Sequence, residues 1–119
     1  MKLITLKSTV KSLLEATGAA VWYFYPRSWM SLPAVSWRES KNREFAQADG
    51  CEHLAELEYT VDVWAKGPEE MHALADEIDE LLTALHLRRD FAQDLFESGV
   101  HHRSMRYRCV ADAEGRIYQ

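Results

Sequence analysis

The clearest alternation of apolar and polar positions runs from Leu57 to Ala65, and it is followed by an apolar stripe at helical spacing. The alternating apolar set is Leu57, Tyr59, Val61, Val63 and Ala65. A period of two is typical of a strand with one buried face. Gly67 and Pro68 then favour a helix start. The stripe that follows consists of Met71, Leu74, Ala75, Ile78, Leu81, Leu82 and Leu85. The pattern predicts a strand and then a helix from Pro68 to His86.

The first third of the chain predicts one more helix and two more strands. Apolar residues at helical spacing, with Gly18 as a stop signal, predict an amphipathic helix over residues 3–17. Residues 20–25 are apolar on both alternating sets, which predicts a buried strand. Residues 34–40 predict the next strand, followed by a polar connection through Asn42 that turns at residues 49–50. Phe45 and Ala46 could form a short strand within this connection.

After the second helix, the chain predicts a strand pair and a short terminal strand. Residues 88–97 and 101–110 read as two strands joined by a turn around Ser98 and Gly99. A turn at Glu114 and Gly115 leads into the last strand, residues 116–119. We therefore expect an α+β fold, a mostly antiparallel sheet of about five to six strands with two helices packed on one face. The expected order is α-β-β-β-α-β-β(-β).

Length and composition indicate one ordinary globular domain spanning residues 1–119. The 119 residues are 47% hydrophobic and 28% charged, and half this length would bury too small a core. No apolar run approaches the roughly 18 residues of a membrane helix. Lys7 and Lys11 interrupt the N-terminal apolar residues, so we expect no signal peptide and a cytosolic site of synthesis. Cys51 and Cys109 are expected to be reduced.

Negative charge is concentrated in one segment of the predicted second helix. Residues 69–80 contain six acids and no Lys or Arg, while the formal charge of the whole chain is −5. No basic patch with interleaved aromatic residues stands out, which argues against a nucleic-acid binder. Asp76, Asp79 and Glu80 are interpreted as an acidic face that is solvated, repels DNA or docks a basic partner.

Several residues could carry chemistry, and each is weighed against a structural role. His72, Asp76 and Asp79 share one helical stripe, so a metal site or an acid–base pair is geometrically possible there. A solvated helix face explains the stripe more simply. Asp62 lies on the alternate face of its strand, where it can remain solvated or pair with an Arg of a neighbouring strand.

Scattered zinc-ligand types occur elsewhere, without the spacing of a zinc site. These are Cys51, Glu52, His53, His101, His102 and Cys109. The paired CxxC spacing is missing, and adjacent His101 and His102 would point to opposite sides of a strand. Dinucleotide, P-loop, zincin and hydrolase motifs are also missing. We expect no catalytic activity, no metal and no cofactor.

Large apolar side chains in a predicted loop need a cover. Trp29, Met30 and Leu32 lie in a segment flanked by prolines, and either the core or a partner must bury them. Together with Phe45 they are the expected assembly interface.

Four segments, in this order, resemble the tail-completion proteins of long-tailed bacteriophages, also called tail terminators or head-to-tail joining proteins. The first is LPAVSWRESKN, in which Pro33 opens a strand that ends near Asn42. The others are EYTVDVWAKGPEEMHALADEIDELL, LRRDFAQDLFE and HHRSMRYRCVADAEGRIYQ. The resemblance covers most of the chain.

The resemblance implies a structural virion protein with no substrate. Such a protein forms a ring, typically a hexamer, on the head-proximal end of the tail tube, stops tube polymerisation and joins tail to head. The implied partners are further copies of the chain, the tail tube protein and the head connector or completion protein, and DNA only passes through the ring. A head-completion or connector protein of the phage neck is the nearest alternative. A small metal-dependent enzyme that uses His72, Asp76 and Asp79 is the alternative from another class.

Overall fold

A computed structural model describes residues 3–25, 31–48 and 51–118, and the side chains at 45–48 and 51–53 are not described. Within these residues the chain forms two helices and six strands. In chain order they are α1 (Lys7–Glu15), β1 (Ala20–Tyr23), β2 (Ala34–Ala48), β3 (Cys51–Ala65), α2 (Pro68–Ala84), β4 (Arg88–Glu97), β5 (Val100–Asp112) and β6 (Ile117–Tyr118). The prediction of an α+β fold with two helices and a mostly antiparallel sheet is confirmed.

The strands form one sheet in the order β1-β2-β3-β5-β4, and β6 pairs with the end of β5. Every pairing is antiparallel except that of β1 with β2, which is parallel. As a result β1 and β4, the strands at the two ends of the order, run in opposite directions. This relation matters for how copies of the sheet could be placed side by side.

The hydrophobic core lies between the helices and the sheet face that carries the alternating apolar set of β3. Leu57, Tyr59, Val61, Val63 and Ala65 are all fully buried. Val10 and Leu14 of α1 and Ile78 and Leu82 of α2 belong to the same cluster. Two tyrosines, at paired positions of β3 and β5, connect this face to the helices. The Tyr59 hydroxyl accepts a hydrogen bond from the Leu6 amide before α1 (2.8 Å), and the Tyr107 hydroxyl donates one to Asp79 of α2 (2.7 Å).

Two predicted elements of the N-terminal part differ from the structure. The helix is shorter than predicted, because residues 3–6 lie outside any helix or strand although Ile4 and Leu6 are buried. The buried strand predicted at 20–25 is instead a four-residue edge strand whose last residue, Tyr23, is exposed. The prediction of burial was wrong because aromatic residues on both faces of a strand also occur where its edge is open.

The hairpin of β2 and β3 is much longer than predicted. The polar connection expected after Ser40 is the second half of a 15-residue strand, paired with the first half of a 15-residue β3. Cross-strand ion pairs replace apolar contacts there: Lys41 and Arg43 both bind Glu56. Register shifts at three points interrupt the alternation, which hid the strand from a search for a period of two. The predicted turn at 49–50 lies outside the described residues.

Candidate functional site

The acidic side of α2 is not a uniform solvated face. Asp79 is half-buried, receives the Tyr107 hydroxyl and pairs with Arg89 of β4 at 3.0 Å. His72, one position of the same stripe, lies 4.0 Å from Asp94 of β4. The stripe therefore runs along the side of α2 that is nearest to β4. Arg89 of β4, a partner that the helix sequence alone could not reveal, compensates the charge of Asp79 at the half-buried end of the stripe.

The other acids that were grouped with Asp79 have a different environment. Asp76 and Glu80 lie one helical turn apart, and both are exposed. Glu70 and Glu77 face the other way, toward a groove that also contains Thr17 and Gly18 after α1. Among the five exposed acids of α2, Asp76 and Glu80 thus point outward, away from the buried stripe, whereas Glu70 and Glu77 line the groove beside α1 of the same chain.

A polar cluster occupies the sheet face opposite the helices. Asp62 of β3 is 7% exposed and lies 2.7 Å from His102 Nε2 and 3.9 Å from Arg38. The His102 ring stacks on Trp64 with centroids 3.6 Å apart, and the Trp64 indole N–H donates to Ser36. Of the two alternatives for Asp62, solvation or pairing with an Arg of a neighbouring strand, the structure shows the pairing, and the cluster satisfies the buried carboxylate.

The described residues offer no arrangement for metal or thiol chemistry. No group of three or more His, Cys, Asp or Glu side chains in this part of the protein could hold a metal ion. His101 contacts Phe96 while His102 contacts Asp62, so the two histidines point to opposite faces as predicted. Cys109 is a buried free thiol, and burial raises its pKa to about 12. At neutral pH it is a small apolar residue and not a nucleophile.

The structure describes only some of the predicted interface residues. Trp29 and Met30 lie outside the described residues, and so does the side chain of Phe45. Leu32 is half-buried just before β2. The structure therefore leaves this predicted interface as a prediction.

Exposed apolar side chains gather instead at the two edges of the sheet. Among the described residues eight large apolar side chains are exposed, and six of them form two groups. The β1 patch consists of Tyr23, Phe24 and Tyr25, which are 42%, 49% and 72% exposed. The β4 patch consists of Phe91, Leu95 and Phe96, which are 37%, 42% and 65% exposed. The local sequence pattern predicts a strand in both segments, but the position of a strand at the sheet edge follows from topology and not from local pattern.

A groove beside β1 combines the β1 patch with positive charge. It has a volume of about 560 Å³. Its lining residues are Lys7, Ser8, Lys11, Val21, Trp22, Tyr23, Tyr25 and Trp37. Lys7 lies 5.5 Å from the centre of the Tyr23 ring and 3.9 Å from Glu39, and Lys11 is exposed one turn further along α1. We call this feature the lysine groove.

Comparison with known protein families identifies the chain. A family model described as "Tail completion protein gp17" matches residues 2–112. The chain belongs to this family. The tail completion assignment confirms the resemblance drawn from the sequence and gives the protein a structural role in the phage tail, hence a place in the virion. The tail completion family is a family of structural phage proteins and not a known family of enzymes. Among curated proteins none matches the chain significantly.

No helix in the described part of this tail completion protein is both long and apolar enough to cross a lipid bilayer. The candidate functional features are surfaces: the β1 patch with its lysine groove, the β4 patch, and the outward acids of α2. The two patches lie at the ends of the strand order, and α2 contacts β4, the strand at one of these ends. That placement suits contacts between neighbouring copies.

Proposed function

We propose that the protein forms a homo-oligomeric ring, a hexamer, that caps the head-proximal end of the tail tube. The ring terminates tube polymerisation and provides the surface on which the head connector or completion protein docks. One domain, residues 1–119, supplies each subunit. DNA passes through the ring without specific binding. Assembly takes place in the host cytoplasm before the ring becomes part of the neck of the virion.

The observation that carries this proposal, beside the family match, is the pair of apolar patches at opposite edges of the sheet. A closed ring of identical copies needs two different surfaces on each subunit, one for each neighbour. A two-fold dimer needs only one surface that matches itself. Each of the two sheet edges exposes aromatic side chains, and the β4 edge also exposes a leucine. Leaving such side chains in water is unfavourable, so two separate apolar edges favour the ring.

The interface predicted from the sequence fits the same model. Leu32 lies between the β1 patch and β2 in the chain, and Trp29, Met30 and Phe45 are proposed to bury further apolar area against a neighbouring subunit or the tail tube. Asp76, Asp79 and Glu80 are proposed to form an acidic side wall of the subunit. Asp79 also has a structural part in that wall through Tyr107 and Arg89.

The ring is tested with purified protein and purified tail tubes. Negative-stain microscopy should show a ring-shaped cap at one end of each tube, and tubes with caps should not elongate when tube protein is added. The protein should also restore infectious particles to a phage that lacks the gene, and a variant that loses capping should lose this rescue. Caps that appear only on head connectors, with bare tube ends, would support a head-completion protein instead.

A double substitution, Trp29→Ser with Met30→Ser, tests the predicted interface. If these residues contact a neighbour, the variant keeps the thermal unfolding profile of the wild type and loses capping. Burying such side chains contributes roughly 1.5 to 3 kcal/mol each, so an unfolded variant would instead assign them to the core.

A further inference from the structure

We infer that, in the proposed ring, the β4 edge of one subunit packs against the β1 edge of the next, and the outward acids Asp76 and Glu80 of α2 face Lys7 and Lys11 of the neighbouring α1. This inference rests on the proposed ring and specifies its subunit contact. The partner is a second copy of this chain.

Strand directions are compatible with such a contact. β1 and β4 run in opposite directions within one subunit. When copies are repeated about an axis that runs along the strands, β4 of one copy lies antiparallel to β1 of the next. Within the described residues, no strand pairs with the outer edge of β1 or of β4. An open edge is a surface on which another chain can align.

The helix layer makes the contact specific. α1 contacts β1 and α2, whereas α2 contacts β3, β5 and β4. Each subunit therefore has α1 on its β1 side and α2 on its β4 side. Joining the β4 edge of one copy to the β1 edge of the next brings α2 of the first copy beside α1 of the second.

Charge on the facing helix surfaces is complementary. Asp76 and Glu80 are spaced i and i+4 and are exposed on α2, which contains no Lys or Arg. Lys7 and Lys11 have the same spacing on α1 and line the lysine groove. Two rows of equal spacing and opposite charge can align one against the other. Charge complementarity of this kind fixes register and excludes incorrect partners.

Apolar side chains supply the remaining contact area. The β4 patch, with Phe91, Leu95 and Phe96, reaches the same joint as the aromatic wall of the lysine groove, to which Tyr23 and Tyr25 belong. Aromatic anchors placed beside complementary charges are typical of the central part of a protein interface.

Charge reversal in the full chain tests the contact. One variant carries Lys7→Glu with Lys11→Glu, and the other carries Asp76→Lys with Glu80→Lys. Each variant alone places like charges across every joint, so the concentration needed to cap half of the tail tubes should rise by at least about tenfold. Native mass spectrometry should show the matching loss of free oligomer wherever the wild type forms one.

Mixing the two variants is the decisive measurement. Subunits that alternate around the ring place opposite charges at every joint, so an equimolar mixture should recover capping, in rings with an even number of subunits. The chain that carries all four substitutions should also recover it. Thermal unfolding monitors each variant, because Lys7 also contacts Glu39 and Tyr23 within its own subunit.

A matched control makes the same change from acid to lysine on the side of α2 that faces α1 of the same chain. Glu70→Lys with Glu77→Lys alters residues that face α1 of their own chain, and it should leave capping unchanged. Unchanged capping by the Lys7/Lys11 and Asp76/Glu80 variants, or no recovery in the mixture, overturns the inferred contact while the ring stands. Wild-type protein that caps no tubes and rescues no phage overturns the proposed function itself.

Discussion

At the scale of single residues, the buried Tyr59 and Tyr107 lie at paired positions of β3 and β5 but form different hydrogen bonds. Both phenols are buried, and burial is the main cause that raises the pKa of each well above its usual range. They therefore stay protonated at all working pH values. Tyr59 holds the chain entry to α1 through a backbone amide, whereas Tyr107 holds α2 through a carboxylate that also pairs with Arg89.

Removing each hydroxyl should therefore have unequal effects on stability. Tyr59→Phe leaves the buried Leu6 amide without its acceptor, which should cost about 1–3 kcal/mol of unfolding free energy. Tyr107→Phe leaves Asp79 with Arg89 and solvent, so the cost should be about 0.5–1.5 kcal/mol. Urea unfolding of both variants measures the difference. Equal losses would show that the Leu6 amide finds another acceptor.

Cys109 should be unreactive in the folded protein. Burial, followed by the nearby Glu39 carboxylate, raises its pKa to about 12, so hardly any thiolate is present at pH 8. Iodoacetamide should label Cys109 only after denaturation, as read by peptide mass spectrometry, which separates it from Cys51. Labelling of native Cys109 at the rate of a free thiol would contradict its burial.

At the scale of elements, the turn between β5 and β6 is organised by one carboxylate. Asp112 is 4% exposed and accepts hydrogen bonds from the amides of Glu114 and Arg116, the Arg116 side chain and the Tyr118 hydroxyl. Burial acts to raise the pKa of Asp112, but these bonds, first that of the Arg116 side chain, outweigh it and hold the pKa well below its ordinary value. The turn depends on the ionised form.

Asp112→Asn should accordingly destabilise the protein in a pH-dependent way. A depressed carboxyl pKa contributes stability above the unfolded-state pKa of about 3.9, and this contribution is lost as the pH falls toward the folded-state value. The variant should unfold at a lower temperature than the wild type at pH 7, and the gap should narrow below about pH 4. Glu114→Gln, at an exposed position of the same turn, serves as control. A difference in unfolding temperature that does not change with pH would show that the charge of Asp112 is not the cause of the effect.

Element prediction from the sequence was accurate for the start of α2 and for β4, and it failed for the outer half of β2. The start of α2 at Pro68 and the alternation of Met105, Tyr107 and Cys109 in β5 were predicted because apolar residues there face the core, whereas α2 ends at Ala84, two residues before the predicted end. The outer half of β2 was missed because ion pairs such as Lys41 with Glu56, and not apolar contacts, hold it. Likewise, the pairing of Asp79 with Arg89 could not be predicted, because Arg89 lies on β4 and only the fold brings it close to α2.

At the scale of the whole molecule, the two exposed apolar patches are separate from the hydrophobic core. The molecule measures 52 × 25 × 23 Å, and both patches lie at edges of its single described sheet. Neither patch contributes to the core cluster. Substitutions in a patch should therefore separate assembly from folding.

Leu95→Ser with Phe96→Ser tests this separation. Both side chains are exposed, so unfolding free energy should change by no more than about 0.5 kcal/mol, as is usual for surface positions. Capping of tail tubes should nevertheless be reduced. Leu3→Ser, at a position 70% exposed and outside both patches, should leave capping intact. A fully active Leu95 and Phe96 variant would exclude the β4 patch from assembly.

The pairing of β3 with β5 also determines how slowly this subunit becomes available. Every pair in that ladder joins residues at least 36 positions apart, from Ala65 with His101 to Leu54 with Asp112. Closing such distant pairs costs chain entropy before any contact is gained, which places folding in the slower range of small domains. Newly synthesised chains therefore spend time with β3 uncovered and prone to aggregate. The supply of folded chains is therefore expected to depend on how fast these distant strands pair.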